Sequence, residues 1–407
     1  MGLLQKSYVL LACPGVHNSF GGLGQGYASH IGNDVSEMGS NLSNIDLGNN
    51  RTALKVVAGG YHSCAILDNS KLKCWGFNER GQLGQENTSH IGNNVSEMGD
   101  QLEAIDLGTN RTAVDVVAGY QHTCVHLDNN KLKCFGTNGN GQLGLGHTNR
   151  IGDDAAEMGD NLQYVDLGTD RTVTKIATGY SHTCAILDNS DLKCWGLNST
   201  GQLGKGHQAD LGDDVSEMGD QLAAIDLGSN RTAIDIMGGE GHSCAILDND
   251  DLVCWGRGGE GQLGIGNTNW IGNGPSEMGD NLNAVDLGVG RIATQVDGGY
   301  TFTCSVLDNN EIKCWGANSA GQLGIESTTQ IGDQPSELGD NLSVVNLGSN
   351  RNVRQFYAAY SSSCALLDNY DVKCWGANTY GQLGQGHTNH VGDDALEMGD
   401  NLTPIDL

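Results

Sequence analysis

Aromatic residues are scarce, positive charge is scarce, and no apolar run is long. Aromatics make up 5% of the 407 residues and hydrophobics 38%. That composition disfavours one large globular core and suits many small ones between stacked repeats. No apolar stretch approaches the roughly 18 residues of a membrane helix, so membrane insertion is not expected. Lysine and arginine number 21 against 49 acidic residues, a formal net charge of -28. Nucleic-acid binding needs a basic face, and none is visible. The same charge disfavours anionic membranes and phosphate-rich ligands, and favours basic partners or cations. No G-x-x-x-x-G-K-(S/T) phosphate loop and no Ser/His/Asp or Cys/His constellation occurs, so the chain is not expected to be an enzyme.

What the sequence has instead is repetition at a fixed period. Arg51, Arg111, Arg171, Arg231, Arg291 and Arg351 lie 60 residues apart, and GQLG recurs at Gly81, Gly141, Gly201, Gly261, Gly321 and Gly381. In the unit around residues 103–150, Ala104–Gly108, Val114–Ala118, His122–Leu127 and Lys131–Phe135 read as short strands joined by Gly/Asn/Asp turns. Four short strands per repeat is the pattern of a propeller blade. Helical i, i+3, i+4 spacing is absent. The fold expected is an all-β β-propeller of about seven four-stranded blades, a single domain over 1–407. The repeat is partial over 1–43 and complete over 44–103, 104–163, 164–223, 224–283, 284–343 and 344–402. A closing strand over 403–407 would share the incomplete blade with the N-terminus. A six-bladed ring with loose ends is the alternative.

The phrases Ala118-Gly-Tyr-Gln-His122, Lys193-Cys-Trp-Gly196 and Gly201-Gln-Leu-Gly-Lys-Gly206 resemble the regulator of chromosome condensation repeat, in every unit. The resemblance implies a seven-bladed propeller. It further implies either guanine-nucleotide exchange on a small GTPase or protein-binding scaffolding. The chain departs from the founding pattern in three ways: about ten extra residues per unit (Ile151–Asn161), two cysteines per unit, and strong negative charge without a basic tail.

Thirteen cysteines fall as Cys13 plus six pairs spaced by ten: Cys64 and Cys74, Cys124 and Cys134, Cys184 and Cys194, Cys244 and Cys254, Cys304 and Cys314, Cys364 and Cys374. Each pair straddles a turn such as Asp68-Asn69-Ser70, with three residues on either side. In an antiparallel hairpin the two would face one another within reach of a disulfide. Closing such a loop stabilises by roughly 2.5–3 kcal/mol on the chain-entropy model. Leu3 stands where a partner for Cys13 would be, so Cys13 is expected to be a free thiol. Two rival readings are small buried apolar residues and a metal site from His62, Cys64 and Cys74. Phe302 and Ser362 replace the histidine while both cysteines stay, which favours disulfides and an oxidising, extracellular or cell-surface setting. Nine Asn-x-Ser/Thr acceptors could carry glycans: Asn41, Asn50, Asn87, Asn94, Asn110, Asn198, Asn230, Asn341 and Asn401.

An acidic loop recurs between units: Asp153, Asp154, Glu157 and Asp160, then Asp213, Asp214, Glu217 and Asp220, then Asp393, Asp394, Glu397 and Asp400. As hard oxygen donors these suit calcium. As a helix-capping box with Gly159 for the left-handed exit, and Met158 and Leu162 docking the turn, they need no ion. The repeated tryptophans (Trp75, Trp195, Trp255, Trp315, Trp375, with Phe135 in their place once) read as packing between blades. The repeated arginine, as in Arg111 after Asp106, reads as a turn-locking ion pair. His62, His122, His182 and His242 read as architecture.

The loop tips vary between units and are the expected place for a protein partner, with Arg80, Asn140, Trp270 and Tyr380 as candidates. The expectation is a non-catalytic module that binds a protein or assembles with itself, without cofactor. A GTPase exchange factor or a calcium-dependent adhesion protein is the alternative.

Overall fold

A computed structural model describes residues 18–407. Six three-stranded antiparallel sheets follow in chain order. The first holds β1 (Ala53–Ala58), β2 (His62–Leu67) and β3 (Leu72–Gly76). The second holds β4 (Ala113–Ala118), β5 (His122–Leu127) and β6 (Leu132–Gly136), the third β7 (Val173–Thr178), β8 (His182–Leu187) and β9 (Leu192–Gly196). The fourth holds β10 (Ala233–Gly238), β11 (His242–Leu247) and β12 (Leu252–Gly256), the fifth β13 (Ala293–Gly298), β14 (Phe302–Leu307) and β15 (Ile312–Gly316). The sixth holds β16 (Val353–Ala359), β17 (Ser362–Leu367) and β18 (Val372–Gly376).

Middle strands such as β2 are buried at every residue, because each sheet packs a face against each neighbour. Each core therefore mixes residues of two units: Leu72 and Cys74 pack with Val116, Val125 and Phe135 of the next. The β2–β3 turn closes on Ser70 at φ 60°, in the left-handed region, as Asn130 does at 57°. A register shift between Ala53 and Lys55 recurs in every first strand and turns Leu54, Val114 and Ile234 out to solvent.

The segment Ala104–Gly108 differs from the expectation that it opens its own blade. Ile105 N donates to Leu72 O of the preceding sheet, and Val165, Val285 and Val345 repeat this bond. The segment is an outer edge laid on the third strand of the unit before, since Leu72 still offers an open carbonyl there. The C-terminal segment 403–407 does the same: Ile405 N donates to Val372 O of the sixth sheet. The N-terminal hairpin expected to pair with it, and Cys13, lie outside the described residues.

Residues 18–47 nevertheless occupy a place between the sixth unit and the first. Gly386 N donates to Gly32 O and Gly26 N to Gly92 O, matching Gly146 to Gly212 and Gly206 to Gly272 elsewhere. Gly39 N donates to Asp406 O as Gly99 N does to Asp46 O. The layer of loops thus runs through these residues from the last unit back to the first.

Candidate functional site

The first strand of each sheet faces the middle of the ring. Together these strands line a cavity of about 600 Å³, with Val57, Val117, Ala177, Met237, Asp297 and Tyr357 at equivalent positions. One of its mouths is built from the turns that follow these strands. There backbone bonds pass from unit to unit: Gly60 N to Gly119 O, Tyr120 N to Tyr180 O, Tyr180 N to Gly239 O, Glu240 N to Tyr300 O, and Tyr300 N to Tyr360 O. Glycine precedes most of these residues because the backbones approach closely; a Cβ on Gly119 would press on Gly179 O and the His122 ring.

These turns place tyrosines side by side. Tyr120 and Tyr180 stack at 4.0 Å between centroids, Tyr61 meets Tyr120 edge-on at 5.4 Å, Tyr180 meets Tyr300 at 5.8 Å, and Tyr300 lies 4.9 Å from Tyr360. Such pairs add to the stabilisation from burial while leaving polar hydroxyls toward water. Glu240 takes the tyrosine's place in the fourth unit, where it pairs with Arg257 at 2.7 Å and bonds Tyr300. A hydrogen bond to Tyr120 and burial push the Tyr61 hydroxyl up to about 12.

The predicted partner-binding residues surround this mouth. Phe77 N donates to Tyr61 O and Thr137 N to Gln121 O, so the tips after each third strand share its face. Arg80 is exposed there. Trp270 and Tyr380 are each 40% exposed. Tyr380 packs on His30 at 4.9 Å. Asn140 is tied down instead, donating to Asp210 at 2.8 Å.

The cysteines meet across the second and third strands of each sheet. Cys64 is bonded to Cys74 and Cys124 to Cys134. Cys184 is bonded to Cys194 on β9, and Cys244 to Cys254 on β12. Cys304 is bonded to Cys314 on β15, and Cys364 to Cys374 on β18. In each case the two residues stand directly opposite in the antiparallel register, with Cα atoms 4.0–4.1 Å apart. All twelve sulfurs also lie in the cores between units, where Cys194, Cys254, Cys314 and Cys374 pack among apolar side chains. The apolar-packing reading and the disulfide reading therefore describe the same residues, and the reading of Cys64 and Cys74 as metal ligands with His62 is corrected.

His62 is not turned toward the sulfurs. Its Nε2 lies 2.9 Å from Thr123 Oγ1 of the next sheet, and that hydroxyl donates to Gln82 O. The hydroxyl proton is therefore committed, so Nε2 must carry the proton that Thr123 accepts. His122, His182 and His242 repeat the contact with Thr183, Ser243 and Thr303. These pairs have the separation of a nucleophile and its base, but they are fully buried and the hydroxyl faces a carbonyl. Burial drives the imidazoles down to about 4 for His62 and His182 and about 3 for His122 and His242.

The acidic loops spend their carboxylates on backbone. Glu157 accepts from Gly152 N and Asp154 N, and Asp160 accepts from Thr109 N and Oγ1 of the preceding unit. Glu217 and Asp220, and Glu397 and Asp400, do the same. Asp214 and Glu217 form a capping box; at Asp154 and Glu157 only the glutamate's half forms, with Ala156 turned to φ 65°, while Gly159 sits at φ 63° and Met158 and Leu162 are buried. Asp153 pairs with Arg150 at 3.7 Å. Each loop thus sends its carboxylates two ways, and Asp153, Asp154, Glu157 and Asp160, like Asp213 and Asp214 or Asp393 and Asp394 with their partners, are not gathered around one point. Among the described residues no group of three His, Cys, Asp or Glu side chains could hold a metal.

The repeated arginine does form a turn-locking ion pair: Arg111 pairs with Asp128 of the hairpin turn at 3.2 Å, while the Asp106 carboxylate accepts from Gly108 N. One further sequence reading is corrected. Asn198 is fully buried, donating to His207 O and Ala209 O, and cannot present a glycan acceptor. The tryptophans do pack between units: Trp75, Trp195, Trp255, Trp315 and Trp375 are fully buried, each indole donating to a carbonyl of the unit before.

Comparison with known proteins settles the family at this point. The RCC1-like domain model matches residues 11–399. The chain belongs to the RCC1-like domain family. It is 23% identical to the ultraviolet-B receptor UVR8 of Arabidopsis thaliana over 372 residues, covering 90% of this chain and 74% of the receptor. It is 27% identical to mouse RCC2 over 345 residues, 80% of this chain and 59% of that protein. Among solved structures, yeast RCC1 (Prp20) in complex with Kap60 superposes with a TM-score of 0.64 at 16% identity, over 84% of this chain and 74% of that one. RCC1-like repeats thus account for both the fold and the phrases shared by every unit.

Proposed function

We propose that this RCC1-like ring is a non-catalytic interaction module that binds a protein partner through its tyrosine-ringed face. The observation that carries the reading is the continuous run Tyr61, Tyr120, Tyr180, Tyr300 and Tyr360 at the mouth, with Trp270 and Tyr380 on surrounding tips. Tyrosine and tryptophan on rigid loops are the residue types that anchor protein interfaces. Yeast Prp20, which shares this fold, has been solved bound to Kap60, and it binds Gsp1p and histones. That supports protein binding as the class of activity here. The ring itself is read as seven-bladed, the seventh place being that of residues 18–47.

The test is affinity capture from extracts of the source, comparing two variants with the wild type. One carries Tyr120→Ser, Tyr180→Ser, Tyr360→Ser and Trp270→Ser. The other carries Leu54→Ser, Val114→Ser and Ile234→Ser at the opposite ends of the first strands. A protein retained by the wild type and the second variant, and lost by the first, supports the reading. Loss with the second variant alone would move the interface to the other face.

We further propose an oxidising, extracellular or cell-surface setting, which the six buried cysteine pairs support. Alkylation of freshly isolated, denatured protein should label only Cys13 before reduction and all 13 cysteines after it. Thirteen labels without reduction would place the chain in a reducing compartment.

A further inference from the structure

The cavity along the ring axis holds polar groups that neither packing nor the partner face explains. Asp297 stands where the other units carry Val57, Val117, Ala177, Met237 and Tyr357. Its Oδ1 accepts from Gly298 N at 2.8 Å and its Oδ2 from Ala358 N at 3.1 Å. No basic side chain pairs with it among the described residues. Lys55, on the same wall, is taken by Asp115, and Lys175 by Asp235 at 2.6 Å. Burial, with Asp235 adding like charge, pushes the Asp297 carboxyl up to about 7.

A second acceptor lies on the neighbouring strand. Gln355 lines the cavity, and its Oε1 is buried with no hydrogen-bond partner among the described residues. A buried acceptor without a donor is costly, so such groups mark a missing partner. At the mouth, tyrosine faces and Glu240 add electron-rich surface. The wall therefore offers a carboxylate, an amide oxygen and aromatic rings. An anion would find no free donor of matching charge. A metal ion would find no group of three ligands. An alkylammonium group supplies three donors and a positive charge, and aromatic faces attract it.

We propose that the axial cavity is a binding site for an aliphatic ammonium group, with Asp297 as its counter-charge, Gln355 as a second acceptor and the tyrosine mouth as its entrance. The inference is independent of the partner reading, because it needs only the cavity wall. The ammonium could come from a free amine or from a lysine side chain of a protein seated on the face.

Isothermal titration of the whole chain distinguishes these cases. The probes are 1,4-diaminobutane, its neutral counterpart 1-butanol, and lysine capped at both ends. Diaminobutane should bind with one site per chain and butanol should not. Asp297→Asn should weaken diaminobutane at least tenfold and Gln355→Leu several-fold, while Val215→Ala, an exposed residue outside both the cavity and the partner face, leaves it unchanged. Circular dichroism and cooperative melting show whether each variant is folded, and the two cavity variants test the same site independently. Tighter binding of capped lysine than of diaminobutane assigns a protein side chain as the source, and the reverse a free amine. Equal binding of butanol and diaminobutane, or wild-type affinity in both folded cavity variants, would overturn the proposal.

Discussion

The third unit (164–223) and the fourth (224–283) share most of a buried frame and diverge on the surface and at two buried polar positions. Both keep the cysteine pair, the buried histidine and the buried tryptophan. Between them Tyr180 becomes Glu240, Lys193 becomes Val253, Leu197 becomes Arg257, Asn198 becomes Gly258 and Asp210 becomes Trp270. The changes come with their compensations. Glu240 and Arg257 pair with each other. At Gly258 the Asn269 carbonyl closes into the space a Cβ would fill. Lys193 donates to Leu167 O and Gly219 O, whereas Arg231 turns inward and donates to Gly279 O at 2.7 Å in place of the missing lysine. The lesson is that buried polar demands travel with the frame, while the residues that meet them can change.

The largest expected effect concerns the part of the frame that does not change. Four histidines are held neutral by burial, against an ordinary value of 6.5. Below pH 6.5 the unfolded chain binds protons there that the fold refuses down to about pH 4, so stability is lost as pH falls through that window. Asp297, raised to about 7 from 3.8, acts oppositely: the fold binds its proton more tightly, and that contribution is lost as pH rises from 3.8 to 7. Four histidines less one aspartate leave about three protons near pH 5, or about 4 kcal/mol per pH unit. Urea unfolding at pH 7 and pH 5 measures it. His182→Phe, following the example of Phe302, should cut the slope by about 1.4 kcal/mol per unit. A midpoint that does not move between the two pH values would show that the histidines are not buried as described.

Next in size, Trp195→Ala and Trp255→Ala should each cost about 3–5 kcal/mol, because both indoles are fully buried between units and leave a cavity. The two should match closely in urea midpoint despite the divergence around them. A much smaller loss for Trp255→Ala would mean that the fourth unit's frame has loosened along with its surface.

How much of this was legible follows from whether the signal is local. The 60-residue period, the cysteine pairing and the capping box depend on residues close in sequence, and each could be read from spacing. The destination of Ala104–Gly108 could not, because an edge strand fits either sheet and only the open carbonyl of Leu72 decides. Nothing in the residue type of Lys73 and Lys133 announces burial, yet each is buried and donates to two carbonyls. The signal was present in the all-apolar company of Leu132, Cys134 and Phe135, which marks a strand covered on both faces. The mouth tyrosines were hidden inside the repeat phrase Ala118-Gly-Tyr-Gln-His122, where they look like spacers. Asp297 was a single acidic residue in a column of apolar ones, visible only when the units are laid over each other.

The smallest effect tests the exchange of lysine for arginine. Arg171 and Arg231 hold the same position in the repeat, but their side chains are 31% and 15% exposed. Arg171 reaches Asp188 at 3.5 Å across the surface, a contact worth about 0–1 kcal/mol. Arg231 satisfies Gly279 O with a charged donor, and removing it leaves that carbonyl without its bond. Arg231→Ala should therefore cost about 1–3 kcal/mol, against under about 1 kcal/mol for Arg171→Ala. Adding Val253→Lys to Arg231→Ala should return most of the loss, since the lysine would reach the same carbonyl as Lys193 does in the third unit. Conversely, Lys193→Val should cost less than the removal of a buried cation ordinarily would, because Arg171 can swing inward as Arg231 has done. Equal costs for the two arginine variants, or no rescue by the lysine, would show that Arg231 is a surface residue like its siblings and that the fourth unit leaves its carbonyl unserved.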